Sequence, residues 1–243
     1  MEYCFAITSC GRFDLLRATL ESFLEYADIM PVTAIIIEDS TLEGIHDYLP
    51  IMPFPVKVIV NQTNLGQMRS IDVMYEQIKT PYIFHCEDDW TFTRSGFIAE
   101  SFAVLKSYPT VSMVSLRPRE ELNPLVRKSP TECCGDVSFF RMDPKAHPEY
   151  FSYSFNPGLR RLEDIKSLLP LTKLGYEEDV SYRFKKLGFQ MACLEPAAVY
   201  HTGYGRHVND PTTQERAKTI LSKWRRSIRK RVKRLKRFFD EIG

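Results

Sequence analysis

The chain has 243 residues, 44% hydrophobic and 26% charged, with a formal net charge of +2. This is globular composition, enough for one large core, and no window approaches the roughly 18 apolar residues of a membrane-spanning helix. The cysteines (Cys4, Cys10, Cys86, Cys133, Cys134, Cys193) are scattered without a CxxC pair, which argues against a zinc site or disulfide framework and suits reduced thiols in the cytoplasm.

Tyr3–Thr8 is an apolar run of strand length, so close behind Met1 and Glu2 that a secretory signal is not expected. Leu16, Leu20, Phe23, Leu24 and Ala27 then recur at helical spacing and predict an amphipathic helix over 13–27. Val32–Glu38 and Val56–Val60 read as the next two strands. Ile71, Met74, Tyr75 and Ile78 mark a second helix that Pro81 ends, and Tyr82–Cys86 runs as a fourth strand straight into Glu87-Asp88-Asp89-Trp90. Strands separated by helices predict an α/β fold, a mostly parallel sheet with helices on both faces. Ligands bind such sheets beyond the carboxyl ends of the strands, where this sequence places Thr8–Arg12, Glu38–Ser40, Asn61–Gly66 and Glu87–Asp89.

The second half is less regular. Ser95–Tyr108 is expected to be helical, Val111–Leu116 and Val137–Phe140 to be strands, and Pro118–Cys134 to be a long loop. Loops of that length in a compact domain are usually functional or mobile. Val180, Phe184 and Leu187 predict a late helix opening near Glu177-Glu178-Asp179. One domain is expected over 1–211, followed by a C-terminal helix over 212–243.

The acidic cluster after the fourth strand carries the most chemistry. Alternate residues of an extended chain point the same way, so Glu87 and Asp89 can act apart from Asp88. Mutual repulsion among such carboxylates is relieved by a hard divalent cation, commonly Mg²⁺ or Mn²⁺ shared with diphosphate oxygens. A solvated acidic turn is the plain alternative. Likewise, Glu177–Asp179 suit a helix's positive end without any chemistry, His201 can be a structural hydrogen-bonder, and Trp90 can stack on a sugar or pack in the core.

These motifs together resemble the GT-A fold glycosyltransferases, close to glycosyltransferase family 2, over residues 3–207. The resemblance implies a nucleotide site beginning at Thr8, Ser9 and Arg12, and a base contact at Asp39, which points toward a pyrimidine. It implies an Asn-x-Gly helix opening at Asn64 and Gly66 that continues to Arg69. Glu87-Asp88-Asp89 matches the family's DxD motif with Glu in place of the first Asp, leaving Asp89 as the metal contact and Glu87 and Asp88 toward the donor. His201, after the apolar run 197–200, would complete the Mn²⁺ or Mg²⁺ site, with His207 able to take its place. Arg206 would meet diphosphate. The late acids followed by Arg183 and Gly188 match the family's catalytic segment. They imply Asp179 as general base, with Glu178 orienting acceptor or donor, in an inverting transfer from a nucleotide-sugar donor, a UDP-sugar foremost, to a glycan or lipid-linked acceptor. Phe155-Asn156-Pro157-Gly158 resembles a segment near the acceptor in that family, or is simply a turn.

Two rivals stand beside this reading. A sugar nucleotidyltransferase would carry a glycine-rich loop after the first strand, where this chain has Ser9-Cys10-Gly11-Arg12 with one glycine. A non-catalytic carbohydrate-binding protein or scaffold could share the fold.

The tail has its own signature. Residues 216–237 hold 12 Lys/Arg and no acid, leaving 21 basic and 29 acidic residues in 1–215. Leu221, Trp224, Ile228, Val232, Leu235 and Phe239 recur every three or four residues, which predicts a basic amphipathic helix. Such a helix suits an anionic membrane surface on the cytoplasmic face, or packs on its own domain or on a second subunit of a homo-oligomer. Nucleic acid is not the expected partner, because no recognised binding motif accompanies the charge.

Overall fold

A computed structural model describes residues 1–212 and, in the tail, residues 224, 227, 228, 231, 232, 235 and 237. The first four strands are β1 (Tyr3–Ser9), β2 (Thr33–Glu38), β3 (Val56–Val60) and β4 (Tyr82–Glu87), with helices α1 (Phe13–Tyr26) and α2 (Gln67–Tyr75) between them. Then follow β5 (Trp90–Phe92), α3 (Phe97–Ser107), β6 (Val111–Ser115), β7 (Thr131–Cys134) and β8 (Val137–Arg141). The described domain closes with β9 (Gly158–Arg161), α4 (Leu162–Lys166), α5 (Glu177–Lys186), β10 (Gln190–Glu195) and β11 (Val199–His201).

Among the described residues a nine-stranded sheet runs β3-β2-β1-β4-β9-β6-β10-β8-β7. Strands β3, β2, β1 and β4 are parallel neighbours. Strand β9 inserts antiparallel between β4 and β6, while β10 is parallel to β6 and antiparallel to β8. Followed across these pairings, only β9 and β8 run against the rest, so the sheet is mostly parallel.

Every side chain of β1 is buried, as expected for a parallel strand covered on both faces. The alternation of a strand sorts them: Tyr3, Phe5 and Ile7 join one apolar cluster with Leu16, Leu20 and Phe23 of α1 and Phe97 and Phe102 of α3. Cys4 and Ala6 join the other, with Met68, Ile71 and Met74 of α2 and Val180 and Phe184 of α5. Full burial of each large side chain contributes about 1.5–3 kcal/mol, and Phe5 stacks on Phe23 with centroids 3.9 Å apart. The two helical layers thereby hold the carboxyl ends of β1, β2, β3 and β4 at one edge.

Several expectations shift in detail. Helix α2 ends at Tyr75, and Ile78 lies beyond it in a turn. The expected loop over 118–134 ends in strand β7, paired antiparallel with β8. Asn156-Pro157-Gly158 leads directly into β9. Strands β5 and β11 form a separate two-stranded ribbon in which His201 pairs with Trp90. Thr212, where the expected helix over 212–243 begins, is in a turn, and residues 224, 227, 228, 231, 232, 235 and 237 are helical; the remainder of 213–243 lies outside the described residues.

Candidate active site

The polar ends of the four leading strands meet in one cavity of about 310 Å³, whose lining includes Thr8 and Ser9 at the end of β1 with Arg12 beyond it, Asp39 after β2, Asn64 and Gly66 before α2, and Glu87 at the end of β4 with Asp88 and Asp89 following. His201 arrives from β11, because its register opposite Trp90 sets it beside the acids that precede β5. Arg69 does not join them. It is exposed on α2 and is absent from the cavity wall, since the helix turns it outward.

Asp39 shapes one end of the cavity. Its carboxylate accepts from the backbone N–H of Leu65 at 2.7 Å and of Gly66 at 2.8 Å, and from the Asn61 side chain at 2.7 Å. Gly66 has φ +83°, and a Cβ there would lie 2.6 Å from Asp210 Oδ1, so this turn requires glycine. Asp210 in turn accepts from Gln67 N at 3.0 Å, placing a carboxylate at the α2 N-terminus, where anions are favoured. Sequence reasoning named His207 as a substitute ligand but missed Val208, Asn209 and Asp210, which follow it and line the cavity alongside His201.

At the other end, Asp88 and Asp89 are buried. Arg12 bridges them, pairing with Asp88 and reaching Asp89 Oδ2 at 2.7 Å. Burial raises the Asp88 carboxyl to about 6 against the opposing pull of Arg12. Glu87 accepts from Gln67 Nε2 at 2.9 Å and Trp90 Nε1 at 3.2 Å. Its carboxyl is raised to about 8, by burial first and then by the charges of Asp89 and Glu177. Trp90 is buried in the core and so packs, rather than standing free for a sugar.

Among the described residues no three His, Cys, Asp or Glu side chains already form a metal cage. Two ligand atoms nevertheless converge: Asp89 Oδ2 and His201 Nε2 are 3.2 Å apart, close to the separation of neighbouring ligands on an octahedral ion with bonds of about 2.1 Å. Gly203 makes room for them, since a Cβ there would lie 2.3 Å from Asp89 Oδ2. The donor set therefore fits a hard divalent cation completed by phosphate oxygens. Arg206 is engaged elsewhere, in a two-pronged pair with Asp14 at 2.6 and 2.8 Å, which holds the Asp14 carboxyl down at about 2.

A second cavity of about 210 Å³ is lined by Arg117, Glu121, Tyr150, Tyr153, Asn156 and Glu177, among others. Trp90 stands between the two, donating to Glu87 of the first while the Arg117 guanidinium lies 5.5 Å from its ring. Glu177 opens α5 and accepts from the Ser154 hydroxyl at 2.7 Å and Phe155 N at 3.1 Å, both on Oε1. That leaves Oε2 for a ligand.

The structure places the late acids differently from what their expected roles require. Asp179, expected as the base, lines neither cavity. Its carboxylate turns back to accept from Tyr176 N at 3.1 Å, capping its own helix, and pairs with Arg237. Glu178, expected to orient a substrate, lines neither cavity as well. The acid that faces a cavity is Glu177, two residues before Asp179 and about 200° away around the helix.

By sequence, no protein-family model and no curated protein matches the chain. By structure it resembles solved glycosyltransferases. The mannosyltransferase PcManGT from Pyrobaculum calidifontis, in complex with GDP-Man and Mn²⁺, superposes with a TM-score of 0.57 at 14% identity, over 81% of this chain and 55% of that one. S. aureus TarS 1–349 in complex with UDP-GlcNAc gives 0.60 at 12% identity, over 89% and 62%. GalNAc-T7 with UDP, GalNAc and Mn²⁺ gives 0.60 at 14% identity, over 83% and 44%. The chain thus spans only about half the length of these proteins, and what it shares with them is the GT-A fold.

Proposed function

We propose that this chain is a metal-dependent glycosyltransferase that moves a sugar from a nucleotide-diphosphate sugar to an acceptor hydroxyl with inversion at the anomeric carbon. The observation that carries the reading is the convergence of Asp39, the Asn64–Gly66 turn, Glu87–Asp89 and His201 in one cavity, with Glu177 across Glu87 and Trp90 in the next. A UDP-sugar is the favoured donor. UDP or UDP-GlcNAc is bound in two of the fold's relatives, although GDP-Man is bound in another.

Each residue then has a task. Asp39 holds the 64–66 turn closed around the nucleoside end. Arg12, already inside the cavity and matched to phosphate geometry, meets the diphosphate. Asp89 and His201 would hold Mn²⁺ or Mg²⁺, which when bound neutralises charge on the departing diphosphate. Glu177 accepts the proton of the acceptor hydroxyl as its oxygen attacks the anomeric carbon and the bond to diphosphate breaks. Such base assistance contributes about 10²–10⁴-fold in rate. The second cavity is where the acceptor, a glycan or a lipid-linked molecule, would present that hydroxyl.

The test is a thermal-shift screen of UDP, GDP, CMP and dTDP, each with and without Mn²⁺, on the wild type and on Asp89→Ala. One nucleotide should stabilise the wild type in a metal-dependent way, by about 2.7 kcal/mol at a hundred times its Kd, and the variant should lose the effect. Absence of any shift at millimolar nucleotide sinks the proposal.

A further inference from the structure

The described tail residues are helical, and four of them are large, apolar and exposed: Trp224 (64%), Ile228 (40%), Val232 (47%) and Leu235 (55%). At 3.6 residues per turn these positions fall within an arc of about 80°. Arg237 falls on the opposite side of the helix. It is buried, pairs with Glu149 at 2.7 Å and with Asp179, and lies 4.3 Å from the centre of the Tyr182 ring. An amphipathic helix on its own domain ordinarily turns its apolar stripe inward. This one turns a cation inward and the stripe outward.

The charge of the segment selects what covers that stripe. Between 216 and 237 the sequence has 12 Lys/Arg and no acid. A second copy meeting it stripe to stripe, as a two-fold contact requires, would bring two such segments of like charge together. Anionic headgroups complement both features: basic side chains meet phosphate while the apolar stripe enters the headgroup–acyl boundary.

We propose that the C-terminal helix lies in the plane of an anionic lipid bilayer, with Trp224, Ile228, Val232 and Leu235 in the lipid and Arg237 fixing the domain to it. The docking needs no part of the transferase reading. If that reading also holds, the anchor specifies the acceptor's class. Glu149 immediately precedes Tyr150 and Phe151 of the second cavity, and Asp179 shares α5 with Glu177, so the cavity is tied to the surface and the acceptor hydroxyl belongs to a lipid-borne molecule.

The test is co-sedimentation of the full chain with phosphatidylcholine–phosphatidylglycerol vesicles and with phosphatidylcholine alone. Each basic residue near an anionic surface adds roughly fivefold to partitioning. The chain should therefore pellet with the anionic vesicles, much less with neutral ones, and lose binding at high salt. Trp224 emission should shift to the blue on binding, and Trp224→Phe should remove the shift. The double substitution Ile228→Glu/Val232→Glu, at exposed positions, should cut partitioning by at least tenfold while leaving metal-dependent nucleotide stabilisation unchanged. Equal pelleting with both lipids, no pelleting, or binding indifferent to the double substitution overturns the proposal. So does a lipid-free dimer that the double substitution dissociates, because a second copy would then cover the stripe.

Discussion

Asp89 Oδ2 lies 3.2 Å from His201 Nε2, and the same oxygen accepts from Arg12 at 2.7 Å. A divalent ion and the Arg12 guanidinium therefore compete for one carboxylate. Arg12→Ala should raise the affinity of the nucleotide-free protein for Mn²⁺, while His201→Ala should lower it by about 10-fold or more. The free-ion electron paramagnetic resonance signal, titrated without nucleotide, reads both. Equal affinities in wild type and Arg12→Ala would mean that the arginine does not guard the site.

The division between Glu177 and Asp179 predicts two different losses. Glu177→Gln keeps the shape and the Ser154 and Phe155 bonds but removes the base. It should lower kcat by about 10²–10⁴-fold while nucleotide stabilisation persists. Asp179→Ala removes the cap on Tyr176 N and one partner of Arg237, and should cost about 0.5–2 kcal/mol of stability with a much smaller effect on kcat. Product formation from the identified donor, beside urea denaturation, separates the two. A larger kcat loss in Asp179→Ala than in Glu177→Gln would return the base to Asp179.

Why the sequence pointed to Asp179 while Glu177 is the acid that faces a cavity is a matter of helix phase. Three acids open α5, and spacing alone does not say which faces a cavity, since the answer depends on how Val180 and Phe184 lock the helix onto the sheet. The first cavity was legible for the opposite reason. Its residues sit at the ends of apolar runs, where strand polarity alone sends them to one edge, and Arg69 departs only because it sits within the helix beyond that edge. Strand β9 was invisible because Gly158-Leu159-Arg160-Arg161 has two arginines in four residues. Their charge is met by backbone carbonyls, Arg161 by those of Leu105, Tyr108 and Val111. No local pattern announces that.

Glu87 ties stability to pH. Its carboxyl is raised from 4.5 to about 8 in the folded protein by burial, Asp89 and Glu177. The folded state therefore holds this proton more tightly than the unfolded state. The resulting stability is complete below about pH 4.5 and is lost as pH rises toward about 8, at no more than about 1.36 kcal/mol per pH unit. In the presence of chelator, Glu87→Gln should flatten that fall over the same window, as measured by urea denaturation at a series of pH values. Parallel stability–pH curves for the two proteins would refute the assignment.

Arg160 holds the segment on which Glu177 is positioned. Its side chain is fully buried, and it donates to Ser154 O at 2.9 Å, Asn156 O at 3.0 Å and Tyr153 Oη at 3.1 Å. The segment 153–156 is thus gripped from below by Arg160 and from α5 by Glu177 and by Ser181, whose hydroxyl accepts from Ser152 N and Tyr153 N. Arg160→Met fills similar space but strands those carbonyls, each a loss of about 1–3 kcal/mol when buried without a donor. It should destabilise the protein by at least about 2 kcal/mol in urea. In the surviving folded fraction, kcat should fall with the position of Glu177 while nucleotide stabilisation, which depends on the other cavity, is kept. Loss of nucleotide binding together with kcat would show that Arg160 supports the whole sheet edge rather than the segment that carries the base.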